Sequence, residues 1–159
     1  MSKDVLSHEL DRLDRKLLSL LQDDATLSNA ALGECLSMTV TPCWRRRKRL
    51  EELGFILGYQ AQLDRRKLGF GVLAFAQVRF GDHAGKAPDR FEELVRKLPE
   101  VLSCHKVTGE ADFALTVVAT DLESYGRFVE DVLRKQPGVA TIQSSLSLRE
   151  VKSVSKLPV

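Results

Sequence analysis

The sequence predicts an α+β protein in which a winged or plain helix-turn-helix domain precedes a ferredoxin-like βαββαβ sandwich. Three short amphipathic helical segments with one tight turn fill the first third of the chain. Strand-like alternation begins near residue 70, and helices and strands then follow in the order β-α-β-β-α-β. We assign residues 1–9 to an N-terminal arm, 10–57 to the helix-turn-helix domain, 58–69 to a polar linker and 70–159 to the second domain.

The first two helices are predicted from apolar spacing and from capping residues. One helical face of the first carries Leu10, Leu13, Leu17, Leu20 and Leu21. Asp11 is a favourable N-cap, and Asp14 places negative charge in the first turn, where it suits the helix dipole. Ser28 caps a second helix that extends to Leu36. The inward residues of this second helix are expected to be Ala31, Leu32 and Cys35.

The third helix combines an apolar face with a basic one. Thr39 is its expected cap, and it runs to about Leu53, with Gly54 as the C′ residue. At about 100° per residue, the inward face holds Val40, Cys43, Arg47 and Leu50. The opposite face holds Thr41, Arg45, Lys48 and Arg49. A helix of this kind, after a short turn, suits the major groove of DNA.

The second half of the chain alternates between strands and helices. Residues 70–80 predict a strand whose inward face carries Val72, Ala74, Ala76, Val78 and Phe80. Helical spacing follows over 91–98 and ends at Pro99. Strands are predicted over 101–107 and 113–119, joined by a hairpin loop, then a helix over 122–133 and a strand over 139–148.

Composition excludes several classes of protein. The chain has 159 residues, 43% of them hydrophobic and 29% charged, with a formal net charge of +2, as in globular proteins. It has no apolar run of membrane-spanning length and no secretory signal, which predicts a cytoplasmic protein without a membrane partner. Three cysteines without CxxC spacing argue against a disulfide scaffold and a zinc site.

The basic run at residues 45–49 is the most uneven feature of the charge distribution. By itself, the run fits a solvated helix face as well as a nucleic-acid contact. Its position on the outer face of the third helix favours DNA.

Six segments together carry a resemblance to a known family. They are LDRLDRKLL (10–18), TPCWRRRKRLEELGFI (41–56), LPEVL (98–102), VTGEADF (107–113), PGV (137–139) and QSSLSLREVK (143–152). In this order and spacing they resemble the Lrp/AsnC, or feast/famine, family of transcriptional regulators, over nearly the whole chain. The resemblance implies a RAM-type second domain for effector binding and oligomerisation, with dimers formed through the sheets and often assembled to octamers.

The resemblance also implies an amino-acid effector bound between dimers, near the hairpin loop. The implied effector residues are Thr108, Gly109, Glu110, Asp112, Leu122, Ser145 and Leu146. Gly109 allows a tight backbone whose N–H groups can bind an α-carboxylate, and Asp112 can pair with an α-ammonium group. A glycine and an aspartate are also ordinary residues of a turn.

The expected DNA interface comprises Thr39, Thr41, Trp44, Arg45, Arg46, Lys48 and Arg49. Thr41, Arg45 and Lys48 are the candidates for reading bases, while Arg46 and Arg49 are expected to contact phosphates. Trp44 has three alternatives: packing on the core, stacking on sugar or touching a thymine methyl group. A dimer is expected to read half-sites one helical turn apart, ~10 bp.

Three positions depart from the family pattern: Arg47, Gly33 and Val40, which replaces a frequent proline. Arg47 lies on the inward face where the family usually has valine or isoleucine, and burying an unpaired guanidinium there is costly. We expect its side chain to reach toward phosphate or toward Asp23 or Asp24, or the helix to be slightly rotated. We therefore expect Arg47→Val to keep or raise thermal stability. Gly33 replaces a usual alanine in the second helix, at an expected cost of up to about 1 kcal/mol.

Motifs of enzymes are absent from the sequence: it contains no GxGxxG, Walker, GxSxG or HExxH pattern. We expect no catalytic residue, metal site or cofactor, and we interpret Cys35 and Cys43 as small buried residues. The predicted function is amino-acid-responsive transcriptional regulation on double-stranded DNA. The alternatives are an effector-independent architectural regulator and an amino-acid-binding module without specific DNA recognition.

Overall fold

A computed structural model describes residues 10–81, 86–152 and 156–159, so the expected arm at 1–9 lies outside the described residues. The described chain divides into two compact units. The first comprises residues 10–62 with 156–159, and the second comprises residues 63–152. The C-terminal residues thus group with the first unit, whereas the sequence analysis assigns them to the second domain.

The first unit is built on three helices: α1 (Arg12–Asp23), α2 (Asn29–Leu36) and α3 (Val40–Glu52). Asp11 caps α1 by accepting the Asp14 N–H, and Ser28 caps α2 by accepting the Ala31 N–H, as predicted. Thr39 is the N-cap residue of α3, but its hydroxyl makes no capping hydrogen bond to the described first turn. The helix bounds lie within two residues of those predicted.

The core of the first unit is a small cluster of apolar side chains. Its buried members are Leu17, Leu18, Leu21, Leu32, Leu36, Cys43 and Leu50. Two of the expected inward residues were predicted wrongly. Cys35 is exposed because α2 buries Leu32, Gly33 and Leu36 instead. Val40 is half exposed, since α3 enters the core only at Cys43.

The turn between α2 and α3 closes tightly on Gly33. Ser37 takes a left-handed conformation with φ 55°, and the Met38 N–H donates to the Gly33 carbonyl at 2.9 Å. A Cβ atom on Gly33 would lie 2.7 Å from the Met38 carbonyl oxygen. The expected gain from alanine at this position therefore does not apply, because the turn needs the space that glycine leaves.

Residues 53–71 contain no helix or strand in the described chain. Because no strand follows α3 before residue 72 in the described chain, the first unit corresponds to the plain rather than the winged helix-turn-helix. Phe55 and Ile56 pack at the edge of the leucine cluster. The linker then turns at Asp64, whose Oδ1 accepts the backbone N–H groups of Arg66 and Lys67.

The C-terminal residues contact the end of α1. The Gln22 side-chain amide donates to the Leu157 carbonyl at 3.1 Å and accepts the Leu157 N–H at 2.6 Å. Lys156 forms an ion pair with Asp23. These contacts explain why residues 156–159 group with the first unit.

The second unit has the predicted βαββαβ order. Its elements are β1 (Val72–Phe80), α4 (Ala87–Val95), β2 (Val101–Lys106), β3 (Phe113–Ala119), α5 (Leu122–Phe128) with a π-helical turn (Val129–Leu133), and β4 (Val139–Leu146). The sheet order is β2-β3-β1-β4, and every neighbouring pair is antiparallel. This is the ferredoxin-like arrangement predicted from the sequence.

The alternation along β1 separates the two faces of the sheet. Ala74, Ala76, Val78 and Phe80 are fully or almost fully buried, as expected. Phe80, Phe91 and Phe113 form an aromatic cluster with ring centroids 5.1–5.8 Å apart. The opposite face of β1 carries Phe75, which is 47% exposed. The core of this unit therefore lies on one side of the sheet, against α4 and α5.

Candidate nucleic-acid interface and effector region

The exposed face of α3 carries most of the predicted DNA-contacting side chains. The exposed residues among them are Thr39, Thr41, Trp44, Arg45 and Lys48. The Lys48 ammonium lies 5.2 Å from the centroid of the Trp44 ring, and the ring is about half exposed rather than part of the leucine core. Long basic side chains and a partly covered indole therefore present a cationic surface on this face.

Arg46 and Arg49 are less exposed because both contact the start of α1. Arg46 Nη1 lies 2.6 Å from Asp11 Oδ2 and 2.7 Å from Asp14 Oδ1. Arg49 Nη2 lies 2.5 Å from Asp14 Oδ2. The two expected phosphate-contacting residues thus belong to an intramolecular ion cluster, which the sequence analysis did not predict.

The acidic half of this cluster is a capping box. Asp11 Oδ1 accepts the Asp14 N–H at 2.8 Å, and the Asp11 N–H donates to Asp14 Oδ2 at 3.1 Å. The Asp14 N–H and the Arg46 guanidinium hold the pKa of the Asp11 carboxyl below its usual value. Hydrogen bonds from Arg46 to Asp14 and Asp11 raise the pKa of that guanidinium. Both pKa shifts favour the charged forms of the Asp11–Arg46 pair.

Two sequence signals pointed to this cluster. Asp11 and Asp14 have the i, i+3 spacing of a capping box, and Arg46 and Arg49 have the same spacing on one side of α3. Neither pattern shows that the two pairs meet, because that contact depends on how α1 packs on α3. The cluster borders a surface groove of about 540 Å³ that is also lined by Pro42 and Arg45.

Arg47 contacts neither Asp23 nor Asp24, so that one of the alternatives predicted for its side chain was wrong. Its Nε donates to Tyr59 Oη at 3.0 Å and to Glu51 Oε1 at 3.2 Å, and the guanidinium carbon lies 4.8 Å from the Tyr59 ring centroid. The Tyr59 hydroxyl donates to the same Glu51 oxygen at 2.7 Å. The arginine therefore stays charged at the edge of the core, held by its own helix and by the start of the linker.

The hairpin loop between β2 and β3 contains the first group of predicted effector residues. Gly109 has φ 116°, a conformation that side-chain-bearing residues rarely adopt. Thr108 and Glu110 are exposed beside it. Asp112 Oδ2 accepts the Phe80 N–H at 2.8 Å, and the Asp112 N–H donates to the Val78 carbonyl. This carboxylate thus anchors the loop to β1, a role that the sequence analysis did not assign to it.

The remaining predicted effector residues lie farther along the sheet from this loop. Ser145 pairs with Phe75 and Leu146 with Ala74, and these positions of β1 lie opposite Thr116 and Val117 in the middle of β3. Leu122 is the first residue of α5, just after β3 ends at Ala119. The loop precedes β3 at Phe113, and β3 spans about 20 Å at the usual rise per residue. The structure of one chain therefore does not bring the two groups together.

Two of the cysteines, Cys43 and Cys104, lie in environments that disfavour the thiolate. Burial raises the pKa of the Cys43 thiol. The pKa of the Cys104 thiol is raised mainly by burial and to a smaller extent by the nearby Glu92 carboxylate. No group of three or more histidine, cysteine or acidic side chains in the described chain is placed to hold a metal ion. Within residues 10–81, 86–152 and 156–159, no helix combines the length and apolarity needed to cross a membrane.

Comparisons with known proteins match both halves of the chain. Residues 10–51 match the AsnC-type helix-turn-helix domain, and residues 73–157 match the Lrp/AsnC ligand binding domain. The DNA-binding transcriptional activator DecR of Escherichia coli is 39% identical over 150 residues, covering 94% of this chain and 99% of that protein. The Bkd operon transcriptional regulator of Pseudomonas aeruginosa is 41% identical, covering 94% and 98%.

A solved structure agrees with these matches. A transcriptional regulator from Neisseria meningitidis, crystallised as an L-Met complex, has a TM-score of 0.90 and 40% sequence identity, covering 94% of this chain and 96% of that one. Its match extends over both units described above. The chain belongs to the Lrp/AsnC family of transcriptional regulators.

Proposed function

We propose that this protein is a DNA-binding transcriptional regulator whose activity responds to an amino acid. The observation that carries the proposal is the exposed basic face of α3, which follows a turn of helix-turn-helix geometry closed on Gly33. An α-helix with such a face fits the major groove, where side chains reach base edges and phosphates. The relatives named as DNA-binding regulators support this assignment.

Within this interface, we assign base reading to Thr41, Arg45 and Lys48. All three are exposed on α3, and arginine is well suited to contact guanine in the major groove. Thr39 and Trp44 flank them. Arg46 and Arg49 are assigned to phosphates, because each leaves part of its side chain exposed beside Asp14.

The effector assignment rests on the ligand-binding domain match and on the relative that contains L-Met. Leu122 is separated from the loop residues Thr108, Gly109, Glu110 and Asp112 by about the length of β3, while Ser145 and Leu146 lie two strands away from β3, level with its middle. One amino acid cannot touch both groups in one chain. We therefore assign the groups to different subunits, so that the effector binds where subunits of an oligomer meet.

Binding of DNA is tested by gel shift with a duplex from beside the protein's own gene and a random duplex of equal length. We expect preferential binding of the first duplex, and affinity that falls as salt rises, because counterions are released from the phosphates. Arg45→Ala should relax selectivity at one base position, whereas Arg49→Ala should weaken binding to all sequences. Equal affinity for both duplexes would favour an amino-acid-binding module without specific DNA recognition.

The effector is tested by thermal shift with each of the twenty amino acids at millimolar concentration, including L-methionine. A ligand that binds the folded state raises the melting temperature as its concentration rises. The amino acid that does so is then added to the gel shift, where a change in affinity is expected. Absence of any shift would favour an effector-independent architectural regulator.

A further inference from the structure

Among the described residues, Asp14 is the most completely buried charged side chain. Its exposed fraction is 0%, and no other charged or polar side chain of the described residues is classed as buried. An ionised carboxylate removed from water is costly unless it is paired and hydrogen-bonded. The helix dipole alone therefore does not explain the burial of Asp14, and the contacts of its carboxyl group must be considered.

The Asp14 carboxylate uses both oxygens on α3 and on its own helix start. Oδ1 accepts from Arg46 at 2.7 Å, and Oδ2 accepts from Arg49 at 2.5 Å and from the Asp11 N–H at 3.1 Å. Arg46 is held a second time by Asp11 Oδ2 at 2.6 Å. One buried group thus fixes two guanidinium groups that are one turn apart on α3.

The two guanidinium groups nevertheless face the surface. The Arg46 side chain is 27% exposed and the Arg49 side chain 42% exposed, against 0% for Asp14. They border the same groove as the exposed Arg45. A guanidinium is planar and carries several N–H donors in a fixed fork, so a carboxylate on one edge sets the direction of the other edge.

We propose that Asp14 is a positioning residue for DNA binding: it orients Arg46 and Arg49 so that their exposed edges meet backbone phosphates when α3 lies in the major groove. The inference rests on the proposed DNA binding. Two carboxylates also offset the charge of the two arginines. Asp14 therefore favours correctly oriented contacts and opposes binding that depends on positive charge alone.

The test is Asp14→Asn, which keeps the shape of the side chain and removes its charge. Dissociation constants are measured over a range of salt for a duplex selected by the wild-type protein from a random library, and for a scrambled duplex of equal length. Asp23→Asn is the matched control, since it removes the same charge from the same helix but contacts Lys156 rather than α3.

We compare the affinity for the selected duplex with the affinity for the scrambled duplex. Asp14→Asn should lower this ratio by about tenfold, because the long side chains of Arg46 and Arg49 must then be ordered on binding. Its affinity for the scrambled duplex should stay the same or rise, with a steeper salt dependence. Asp23→Asn should leave the ratio unchanged. A purely structural role would instead lower both affinities together, in proportion to the unfolded fraction seen by circular dichroism, and that result overturns the proposal.

A double-mutant comparison tests whether Asp14 acts through the arginines. Lysine keeps the charge of arginine but lacks the planar fork, so Asp14→Asn should have no further effect on the ratio in an Arg46→Lys/Arg49→Lys background. An undiminished effect there contradicts the proposal.

Asp11→Asn covers the case in which Asp14→Asn does not fold. Asparagine remains a good N-cap, so only the charge beside Arg46 is lost, and we expect the ratio to fall about two- to threefold, since one side chain is released in part. An unchanged ratio overturns the proposal. A wild-type protein that does not distinguish the two duplexes overturns the proposed function and this inference with it, whereas wild-type discrimination with an unchanged ratio in the variants overturns the inference alone.

Discussion

The two units hold their helices by different means. In the first, Arg46 and Arg49 of α3 reach the Asp11 and Asp14 carboxylates of α1, above a small cluster of leucines. In the second, the helices pack on the sheet through apolar side chains, with Phe80, Phe91 and Phe113 in edge or tilted contact. The second unit also has polar contacts between helix and sheet, from the Tyr125 hydroxyl to Ser144 Oγ and from Lys106 to Glu92. Among the described residues, however, only the first unit buries a charged side chain, Asp14.

This difference has a functional consequence. Side chains that stabilise an apolar core are removed from solvent and cannot contact a ligand. A guanidinium held by a buried carboxylate keeps part of its surface exposed. The same groups in the first unit can therefore stabilise the fold and contact phosphate.

The largest effect is expected for Phe113→Ala in the aromatic cluster. Removing a fully buried phenylalanine leaves a cavity and should lower the free energy of unfolding by about 3–5 kcal/mol. Urea denaturation followed by far-UV circular dichroism measures the loss, while fluorescence of Trp44, the single tryptophan, reports on the first unit. Phe75→Ala is the control, because Phe75 is 47% exposed; an equal loss there would contradict the contrast between the two faces of the sheet.

A smaller effect is expected for Gly33→Ala in the turn of the first unit. The new Cβ would lie 2.7 Å from the Met38 carbonyl oxygen, and relieving such a clash typically costs about 1–3 kcal/mol. The loss should appear in Trp44 fluorescence. Gly126→Ala in α5 meets nothing within 4 Å and should be neutral or stabilising by up to about 1 kcal/mol. If both substitutions stabilise, the turn does not need glycine.

A loss of about 1 kcal/mol is expected for Arg47→Val, from the cation–π contact and the hydrogen bonds to Tyr59 and Glu51. The sequence analysis expected no loss, on the premise of an unpaired arginine facing the core. The structure removes that premise. Tyr59→Phe should produce a similar but smaller loss, and a melting temperature for Arg47→Val at or above that of the wild type would restore the earlier expectation.

The smallest effect is expected for Asp11→Asn, which should change how stability depends on pH in the acid range. The pKa of Asp11 is lowered in the folded state from its ordinary value of 3.8, so its contribution to stability is present above that value and is lost as the pH falls through the lower folded pKa. Thermal melts between pH 5 and pH 2, ~0.5 pH unit apart, should show a shallower acid destabilisation of the Trp44 transition for Asp11→Asn. An identical pH dependence in the wild type and the variant would show that the Asp11–Arg46 pair does not contribute.

Local patterns were sufficient for the order of elements in both units, although α4 (Ala87–Val95) begins and ends earlier than the helix predicted over 91–98. Capping residues and 3-and-4 spacing placed α1, α2 and α3, and alternation placed the inward face of β1. Errors arose where several orientations share one pattern. Cys35 and Leu36 are neighbours on a short helix, and only contact with the other helices decides that Leu36 is the buried one.

The candidate site was predicted in part for the same reason. The exposure of Arg45 and Lys48 was predictable because their angular positions on α3 depend only on the regular rotation of a helix, about 100° per residue. The contacts of Arg47 with Tyr59 depend on where the linker leaves the helix, and no local rule specifies that position. The separation of the loop residues from Ser145 and Leu146 follows from antiparallel register, which becomes known only when the strands are paired.

By itself, the sequence determined the order of elements, the basic outer face of α3, the closing turn and the family resemblance, because capping, periodicity and spacing act over a few residues. The tertiary structure decided that Asp14 is buried under Arg46 and Arg49, that Asp112 anchors its loop to Phe80, and that the turn has no room for a Cβ atom on Gly33 unless the Met38 carbonyl shifts. Each of these depends on atoms brought together by packing or by chain reversal, since the strength of an ion pair, a hydrogen bond or a steric clash is set by distance in space and by burial.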